Sequence, residues 1–278
     1  MAGFWEIVHT LPLWWQFGIA AGFGLIIGSF LNVYIYRLHT GRSLAGSSHC
    51  LSCATPLQWY ELLPVVSYLS LQGRCRTCGC RIPPRYALVE LLTGGLFVLG
   101  YLTATSLLTL LWWWLLLAVL VVILVYDLYH FIIPDELTFT VLVLALLWLG
   151  YGWWQTGDWL SIIYTVGAAG VGSGFLYSLW WWSGGQWLGF GDVKLMFPLG
   201  LLVGYTNVFS LVVASFWIGA LVSLGVLGYQ RWQMRGKPPL RQVAQGLTMK
   251  SAVPFAPFLI AAALLVLFSD FNALSFFY

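Results

Sequence analysis

Long apolar runs are the feature that most constrains this chain. Hydrophobic residues make up 60% of the 278 residues, and charged residues make up only 8%. An ordinary soluble domain has about a quarter charged residues, so the composition excludes that class. A helix needs roughly 20 residues to cross a hydrocarbon core of about 30 Å. Runs of this kind recur along the sequence, which predicts an all-α polytopic membrane protein embedded in the lipid bilayer.

We predict about eight transmembrane helices, of which the sixth is short and contains Pro198 as a source of a kink. The predicted spans are 13–35, 87–104, 107–126, 137–155, 159–182, 193–205, 207–229 and 252–270. No lysine or arginine precedes Arg37, so the first span is interpreted as a retained anchor rather than a cleaved signal peptide. The predicted organisation is an anchor over 1–35, a loop domain over 36–86 and a membrane domain over 87–278.

The basic residues indicate the orientation of the chain. With the N-terminus outside, all twelve lie within or beside the segments 36–86, 127–136, 183–192 and 230–251. Lysine and arginine concentrate in cytoplasmic loops of membrane proteins, which predicts that these four segments face the cytoplasm. Because orientation explains the net charge of +3, no nucleic-acid partner is expected.

The loop domain contains two Cys-x-x-Cys pairs. Cys50 and Cys53 form the first, and Cys75 and Cys78 form the second after twenty-one intervening residues. Each pair can present two thiolates to one ion, which is typical of a tetrahedral zinc site. Two disulfides are the alternative, and a reducing cytosol disfavours them. Four thiolates leave no position for a reacting water, so the predicted zinc is structural; Cys80 is interpreted as a bystander.

Two carboxylates fall at predicted membrane edges. Asp127 ends the third span and Asp192 opens the sixth, with two membrane crossings between them, so both return to the cytoplasmic face. An ionisable residue at membrane depth is a functional candidate. Two carboxylates in close contact cannot both ionise cheaply, so we expect them to share a proton. One could then activate water while the other polarises a carbonyl.

Two other acidic residues have simpler interpretations. Asp135 follows Pro134 and begins the fourth helix, so it is expected to cap that helix and to interact favourably with its dipole. Glu90 is expected to pair with Arg85 or to favour a helix start. Asp127 has no such role, because a negative charge at a helix C-terminus meets an unfavourable dipole.

Glycines flank Asp192 in the stretch G-F-G-D-V-K, residues 189–194. Gly189 and Gly191 remove side chains beside the carboxylate. The backbone could therefore take unusual dihedral angles or admit an extended substrate strand closely.

Several of these motifs together resemble the type IV prepilin peptidases, which are G-x-G-D aspartyl proteases of bacterial pilus and type II secretion systems. The motifs are G-S-F-L-N-V-Y-I-Y-R-L from Gly28, the two cysteine pairs, D-L-Y-H-F-I-I-P-D-E-L-T from Asp127 and G-F-G-D-V-K-L from Gly189. The resemblance implies Asp127 and Asp192 as catalytic residues, and Cys50, Cys53, Cys75 and Cys78 as zinc ligands.

The same resemblance implies a substrate and a location. The substrate would be a type IV prepilin or a pseudopilin, cut after a glycine that separates a basic leader from an apolar helix. Cleavage would occur at the cytoplasmic edge of the bacterial inner membrane. Members with the cysteine pairs often methylate the new N-terminus with S-adenosylmethionine, although no glycine-rich motif here indicates where that cofactor binds.

Two other function classes stay open. A proton- or cation-coupled transporter could use Asp127 and Asp192 as carriers, but it would have charges near the bilayer midplane and repeated halves, and the sequence has neither. A zinc-bearing assembly scaffold would explain the loop but not the membrane-edge carboxylates or their flanking glycines.

Overall fold

A computed structural model describes residues 8, 10–41, 43, 46–234, 254–269 and 271–273, without the side chains of residues 230, 231, 233 and 234. The predicted all-α membrane architecture is confirmed: in these ranges six helices are long and apolar enough to cross a membrane. Most of the predicted cytoplasmic segment 230–251 and both ends of the predicted span 252–270 lie outside the described residues. The chain divides into two compact units, Met1–Val125 and Tyr126–Tyr278.

The first unit is built on three long helices and a loop with little regular structure. The helices are α1 (Leu13–Arg37), α3 (Arg85–Thr103) and the larger part of α4 (Leu107–His130). Between α1 and α3 the loop contains a 3₁₀ turn (Trp59–Leu62) and the short helix α2 (Val66–Ser70). Two isolated β-bridges, His49 with Pro56 and Arg74 with Arg81, each close one arm of this loop.

Glycines bring α1 and α3 into close contact. A Cβ atom on Gly24 would lie 2.7 Å from the Cα atom of Gly94, and one on Gly28 would lie 2.8 Å from the Cα atom of Glu90. Small residues allow the backbones of membrane helices to approach in this way, where lipid provides no hydrophobic drive for association. The contact therefore depends on glycine in α1.

Polar groups buried in the first unit have partners. The Tyr101 hydroxyl donates a hydrogen bond to the Gln16 side chain, whose amide nitrogen donates to the Leu11 carbonyl at 2.6 Å. The Trp114 indole stacks on Phe97, with ring centroids 4.9 Å apart, and donates a hydrogen bond to the Phe97 carbonyl at 3.0 Å. An unsatisfied polar group in hydrocarbon is costly, so these bonds explain why such residues are tolerated there.

The second unit surrounds one short helix. It contains α5 (Asp135–Thr156), α6 (Trp159–Ser183), α7 (Phe190–Val203), α8 (Val208–Met234) and α9 (Ala256–Phe268). Helix α7 packs against the other four, and ten of its 14 residues are buried. At about 1.5 Å per residue, α7 is roughly 21 Å long, which is less than the hydrocarbon thickness. The enclosed α7 therefore carries its N-terminal carboxylate into the interior of the unit.

Helix lengths refine the predicted spans. The short sixth helix was expected, and Pro198 lies inside α7. Helix α4 continues past residue 126 to His130, and Asp127 lies in its last turn, as expected. Because α7 and α9 have only 14 and 13 residues, the count of about eight transmembrane helices stays a prediction.

Substituting Gly24 with valine should destabilise the protein by about 1–3 kcal/mol, the usual cost of overpacking. The new side chain would meet the Gly94 backbone and the Thr93 carbonyl oxygen, which cannot rotate away. Gly22→Val is the matched control, because a Cβ atom at Gly22 meets nothing within 4 Å. Thermal unfolding in detergent measures both variants, and equal midpoints would contradict the proposed α1–α3 contact.

Candidate active site and metal site

Asp127 is buried where α4 ends. Its backbone carbonyl accepts a hydrogen bond from the Phe131 N–H at 2.9 Å, and Phe131 has a φ of 56°, a left-handed conformation that is uncommon for a bulky residue. The side chain is 4% exposed, and its Oδ2 atom accepts no hydrogen bond from any described residue. One oxygen of this carboxylate is therefore available for a proton or for a substrate group.

Asp192 lies in the first turn of α7. Its Oδ2 atom accepts a hydrogen bond from the Gly189 N–H at 3.1 Å, and the side chain is 5% exposed. The charge of Asp127 acts on Asp192, and the backbone amide of Ala256, the first residue of α9, interacts with both carboxylates. Helix N-termini stabilise negative charge. The structure thus brings the two predicted carboxylates together at the N-termini of two helices.

The flanking glycines have ordinary backbone angles. Gly189 has a φ of −74° and a ψ of 147°, and Gly191 is helical, so the expectation of unusual dihedral angles is wrong. A Cβ atom on Gly191 would lie 3.2 Å from the Ile133 Cβ atom, and one on Gly189 would lie 3.2 Å from Asp192 Oδ2. Gly191 therefore makes room for the segment that follows Asp127.

Asp135 does not cap α5, so that prediction is wrong. The N-cap residue is Pro134, and Asp135 is the first helical residue with its carboxylate largely exposed. The Lys194 ammonium donates a hydrogen bond to Asp135 Oδ1 at 2.7 Å. This ion pair joins the start of α5 to the N-terminal half of α7, while the acidic charge still lies favourably at a helix N-terminus.

Glu90 has a contact with the loop that was not expected. Its Oε2 atom accepts a hydrogen bond from the Val65 N–H at 2.7 Å, and the Ser29 side chain also bonds to it. Arg85, the expected partner, lies 5.0 Å from the centre of the Tyr86 ring. Glu90 is 8% exposed and connects α3 to the loop.

The four predicted metal ligands form one cluster. The sulfur atoms of Cys50, Cys53, Cys75 and Cys78 all lie within 4.8 Å of one another, and the five cysteines are unbridged. The Cys50 and Cys78 sulfur atoms are 3.8 Å apart. Tetrahedral ligands about 2.3 Å from zinc would be separated by about 3.8 Å, so the donor set fits this ion.

Two further features of the cluster affect its chemistry. Hydrogen bonds with the Thr55 side chain and backbone lower the pKa of Cys53 to about 6, which favours the thiolate that a metal requires. The Cys80 sulfur lies 3.6 Å from that of Cys50, so the residue interpreted as a bystander is directly beside the cluster. Cys80 follows Cys78 by two residues, a spacing that does not match the Cys-x-x-Cys pattern, so the sequence did not indicate that Cys80 lies beside the cluster.

Comparison with known proteins identifies the family of the chain. The model of the Bacterial Peptidase A24 N-terminal domain matches residues 23–104, and that of the Type IV leader peptidase family matches residues 114–224. The chain is 32% identical to the prepilin leader peptidase/N-methyltransferase of Aeromonas salmonicida (strain A449), over 94% of this chain and 93% of the relative. This chain belongs to the type IV leader peptidase family.

Other members of the type IV leader peptidase family are similarly related to it. The prepilin leader peptidase/N-methyltransferase of Aeromonas hydrophila is 32% identical over 96% of this chain and 95% of its own length. That of Klebsiella pneumoniae is 37% identical over 69% of this chain and 86% of its own length. No solved structure matches the chain significantly. The leader peptidase match includes both buried aspartates, and the N-terminal match includes all four clustered cysteines.

Purified protein should contain about one zinc ion per chain, because four thiolates complete a tetrahedral site. Replacing Cys75 with serine should remove most of the metal, and replacing Cys80 should leave it in place. Elemental analysis of the two variants and the wild type measures the zinc content per chain. Full zinc content after simultaneous replacement of Cys75 and Cys78 would be incompatible with the tetrathiolate.

Proposed function

We propose that this chain is an aspartyl endopeptidase of the bacterial inner membrane. It removes the basic leader from type IV prepilins or type II secretion pseudopilins, cutting after a glycine at the cytoplasmic membrane edge, and then methylates the new N-terminus with S-adenosylmethionine. The observation that carries the proposal is the buried pair Asp127 and Asp192, held together at two helix N-termini. The names of the family relatives support the same activities.

The pair performs the chemistry of peptide hydrolysis without a covalent intermediate. The ionised carboxylate takes a proton from water, whose oxygen attacks the scissile carbonyl carbon while the protonated carboxyl group hydrogen-bonds the carbonyl oxygen. The carbon–nitrogen bond then breaks, and the leaving nitrogen takes the proton that water lost. Gly189 orients Asp192 through its N–H, and the Oδ2 atom of Asp127, which has no hydrogen-bond partner among the described residues, faces the substrate groups.

An apolar surface beside the site suits the apolar helix of the substrate. The residues directly after Asp127 are exposed and mostly apolar, namely Leu128, Tyr129, Phe131 and Ile132. Phe190, next to Gly189, is also exposed. A substrate whose helix lies in the bilayer would reach Asp127 and Asp192 along this surface, and its leader would remain in the cytoplasm, where we propose that both active sites face.

Each cofactor would have a separate role. Zinc, held by the four cysteines, would fold the 36–86 domain, which is too small to build its own core. S-Adenosylmethionine would supply an electrophilic methyl group when bound. We propose that methylation belongs to 36–86 and proteolysis to 87–278.

Replacing either Asp127 or Asp192 with asparagine should abolish leader cleavage, a loss of at least about 10²-fold for a missing general acid or base. Asn preserves the side-chain shape but cannot exchange a proton. Asp135→Asn is the control and should retain most of the activity, because Asp135 contributes only an exposed ion pair with Lys194. Purified protein in detergent is incubated with a prepilin, and the products are resolved by gel.

This assay also separates the competing functions. A transporter or a scaffold would leave the prepilin intact in every sample. Activity retained by the Asp127 variant and lost by the Asp135 variant would instead transfer the catalytic assignment to Asp135.

Methylation should survive the loss of proteolysis. Amine methylation needs a neutral amine aligned with the methyl donor and does not need the aspartyl pair. The Asp192→Asn enzyme, given an already cleaved pilin and labelled S-adenosylmethionine, should transfer label at a rate close to the wild-type rate. Glu61→Ala should lower methylation more than cleavage, because the Glu61 carboxylate accepts the Gln58 N–H at 2.8 Å and stabilises a turn of the loop. Absence of transfer by Asp192→Asn would mean that the two activities share a site.

A further inference from the structure

Part of the loop between α1 and α3 has no charged side chain. Residues 62–73 read L-L-P-V-V-S-Y-L-S-L-Q-G and include α2, while Glu61 and Arg74 directly flank them. Charged side chains are costly inside a bilayer, so a stretch without them can lie at membrane depth. Residues 62–73 are called the uncharged segment below.

A hydrogen bond fixes the uncharged segment to the interior of α3. Glu90 Oε2 accepts this bond from the Val65 N–H at 2.7 Å. Glu90 is the sixth residue of α3, so at about 1.5 Å per residue it lies roughly 7.5 Å along the helix from Arg85. A Cβ atom on Gly28 of α1 would lie 2.8 Å from the Glu90 Cα atom, and α1 continues about 14 Å past Gly28 to Arg37. Val65 is therefore held well inside the ends of two helices.

The lengths of these two helices convert that position into a membrane depth. Both α1 and α3 are long and apolar enough to span a bilayer. Helix α3 has 19 residues and is about 28 Å long, which is close to the roughly 30 Å of a hydrocarbon core. Little of α3 can then lie outside the core. Glu90 and the attached Val65 are therefore at hydrocarbon depth, on the side of the membrane where the loop lies.

Helix α2, which follows Val65, has two different faces. Ser67 and Tyr68, with Leu71 just beyond the helix, line a cavity of about 550 Å³ inside the first unit. Val66 and Leu69 are not among the lining residues, and their side chains are 62% and 68% exposed. Apolar side chains exposed at hydrocarbon depth have lipid acyl chains as their surroundings, so this second face suits contact with the bilayer.

The backbone of the segment is hydrogen-bonded as contact with lipid requires. The Ser67 N–H donates to the Leu63 carbonyl at 3.0 Å, and the Leu69 N–H donates to the Val65 carbonyl at 2.9 Å. Val65 is the N-cap residue of α2, where a helix leaves its N–H groups without internal acceptors. The Glu90 carboxylate supplies the acceptor at that position. Irregular backbone is tolerated in hydrocarbon only where its polar groups have partners, so the bond explains a buried carboxylate at this depth.

The residues on either side of the uncharged segment suit the headgroup region. Trp59 precedes it and is largely exposed, and tryptophan is enriched at the membrane interface. Arg74 and Arg76 follow it and are exposed, and arginine near a membrane surface is attracted to anionic lipid headgroups. The apolar centre with an aromatic and basic border is the composition of a segment that enters one leaflet and leaves it again.

We infer that the uncharged segment inserts into the leaflet on the loop side of the membrane. Val66 and Leu69 contact lipid acyl chains, and Glu90 holds the segment at that depth through the Val65 N–H. The loop is then attached to the bilayer by its own surface as well as by α1 and α3. This inference depends on the membrane architecture and not on the proposed protease or methyltransferase activity.

Spin labels at single positions of the full protein test the insertion. A non-canonical keto amino acid carries each label, so the cysteines stay unmodified, and the protein is reconstituted in vesicles of phosphatidylethanolamine and phosphatidylglycerol. Labels at Val66 and Leu69 should lie about 5–10 Å below the headgroup surface, where dissolved oxygen reaches them better than a water-soluble nickel chelate does. Thr40 is the matched control, because it is exposed just after α1 ends, and its label should be reached better by the chelate.

The labelled side chains are exposed, so the labels should leave the fold intact, and thermal unfolding midpoints equal to that of the wild type verify this. Deeper positions for the labels at Val66 and Leu69 than for the label at Thr40 support the insertion. Chelate accessibility at Val66 and Leu69 equal to that at Thr40 would overturn it.

A photo-crosslinker identifies what covers this face. A benzophenone amino acid in place of Leu69 is irradiated in the same vesicles, with and without a prepilin, and the adducts are identified by mass spectrometry. A phospholipid adduct in both samples supports lipid as the occupant. A prepilin adduct, with no phospholipid adduct in either sample, would show that the face docks the apolar helix of a substrate and would overturn the inference.

Discussion

Two carboxylates buried side by side in an apolar protein repel each other, and the second unit is organised to hold them together. Asp192 is carried into the interior by α7, which is too short to span a bilayer and is enclosed by four other helices. Two backbone N–H groups offset this repulsion by stabilising the negative charge. They belong to Gly189 at the start of α7 and to Ala256 at the start of α9. Because these donors belong to helix ends, the charge of the site depends on where two helices begin.

The first unit solves a different problem, since its loop has few residues with which to form a core. The loop contains the four clustered cysteines, and Glu90 of α3 bonds to it through the Val65 N–H. If the cysteines hold the proposed zinc, both features fix the loop without side-chain packing. A loop built in this way can keep an open cavity, because its rigidity does not require a filled interior.

Local patterns in the sequence were sufficient for the helices, the cysteine cluster and the convergence of Asp127 and Asp192. Apolar runs and the Cys-x-x-Cys spacing are properties of residues close together in the chain. The even number of predicted membrane crossings between Asp127 and Asp192 predicts that both lie at the same face. Contacts between distant residues were missed. Lys194 lies 59 positions from Asp135, so no local sequence pattern could predict their ion pair. A helix cap was expected at Asp135 instead. The bond from Val65 to Glu90 spans 25 positions. The predicted catalytic roles of Asp127 and Asp192 still await the cleavage assay.

The contact between Gly191 and Ile133 has a consequence for inhibition. Ile133 follows Asp127 by six residues, Gly191 precedes Asp192 by one, and a Cβ atom on Gly191 would lie only 3.2 Å from the Ile133 Cβ atom. The spacing of the carboxylates is thereby set by a glycine contact that neither carboxylate makes. A small molecule wedged between these two residues would inactivate the protease without resembling its substrate. Resistance through substitution of Gly191 would require the Ile133 side chain to shift as well, because a Cβ atom at position 191 would lie 3.2–3.3 Å from it.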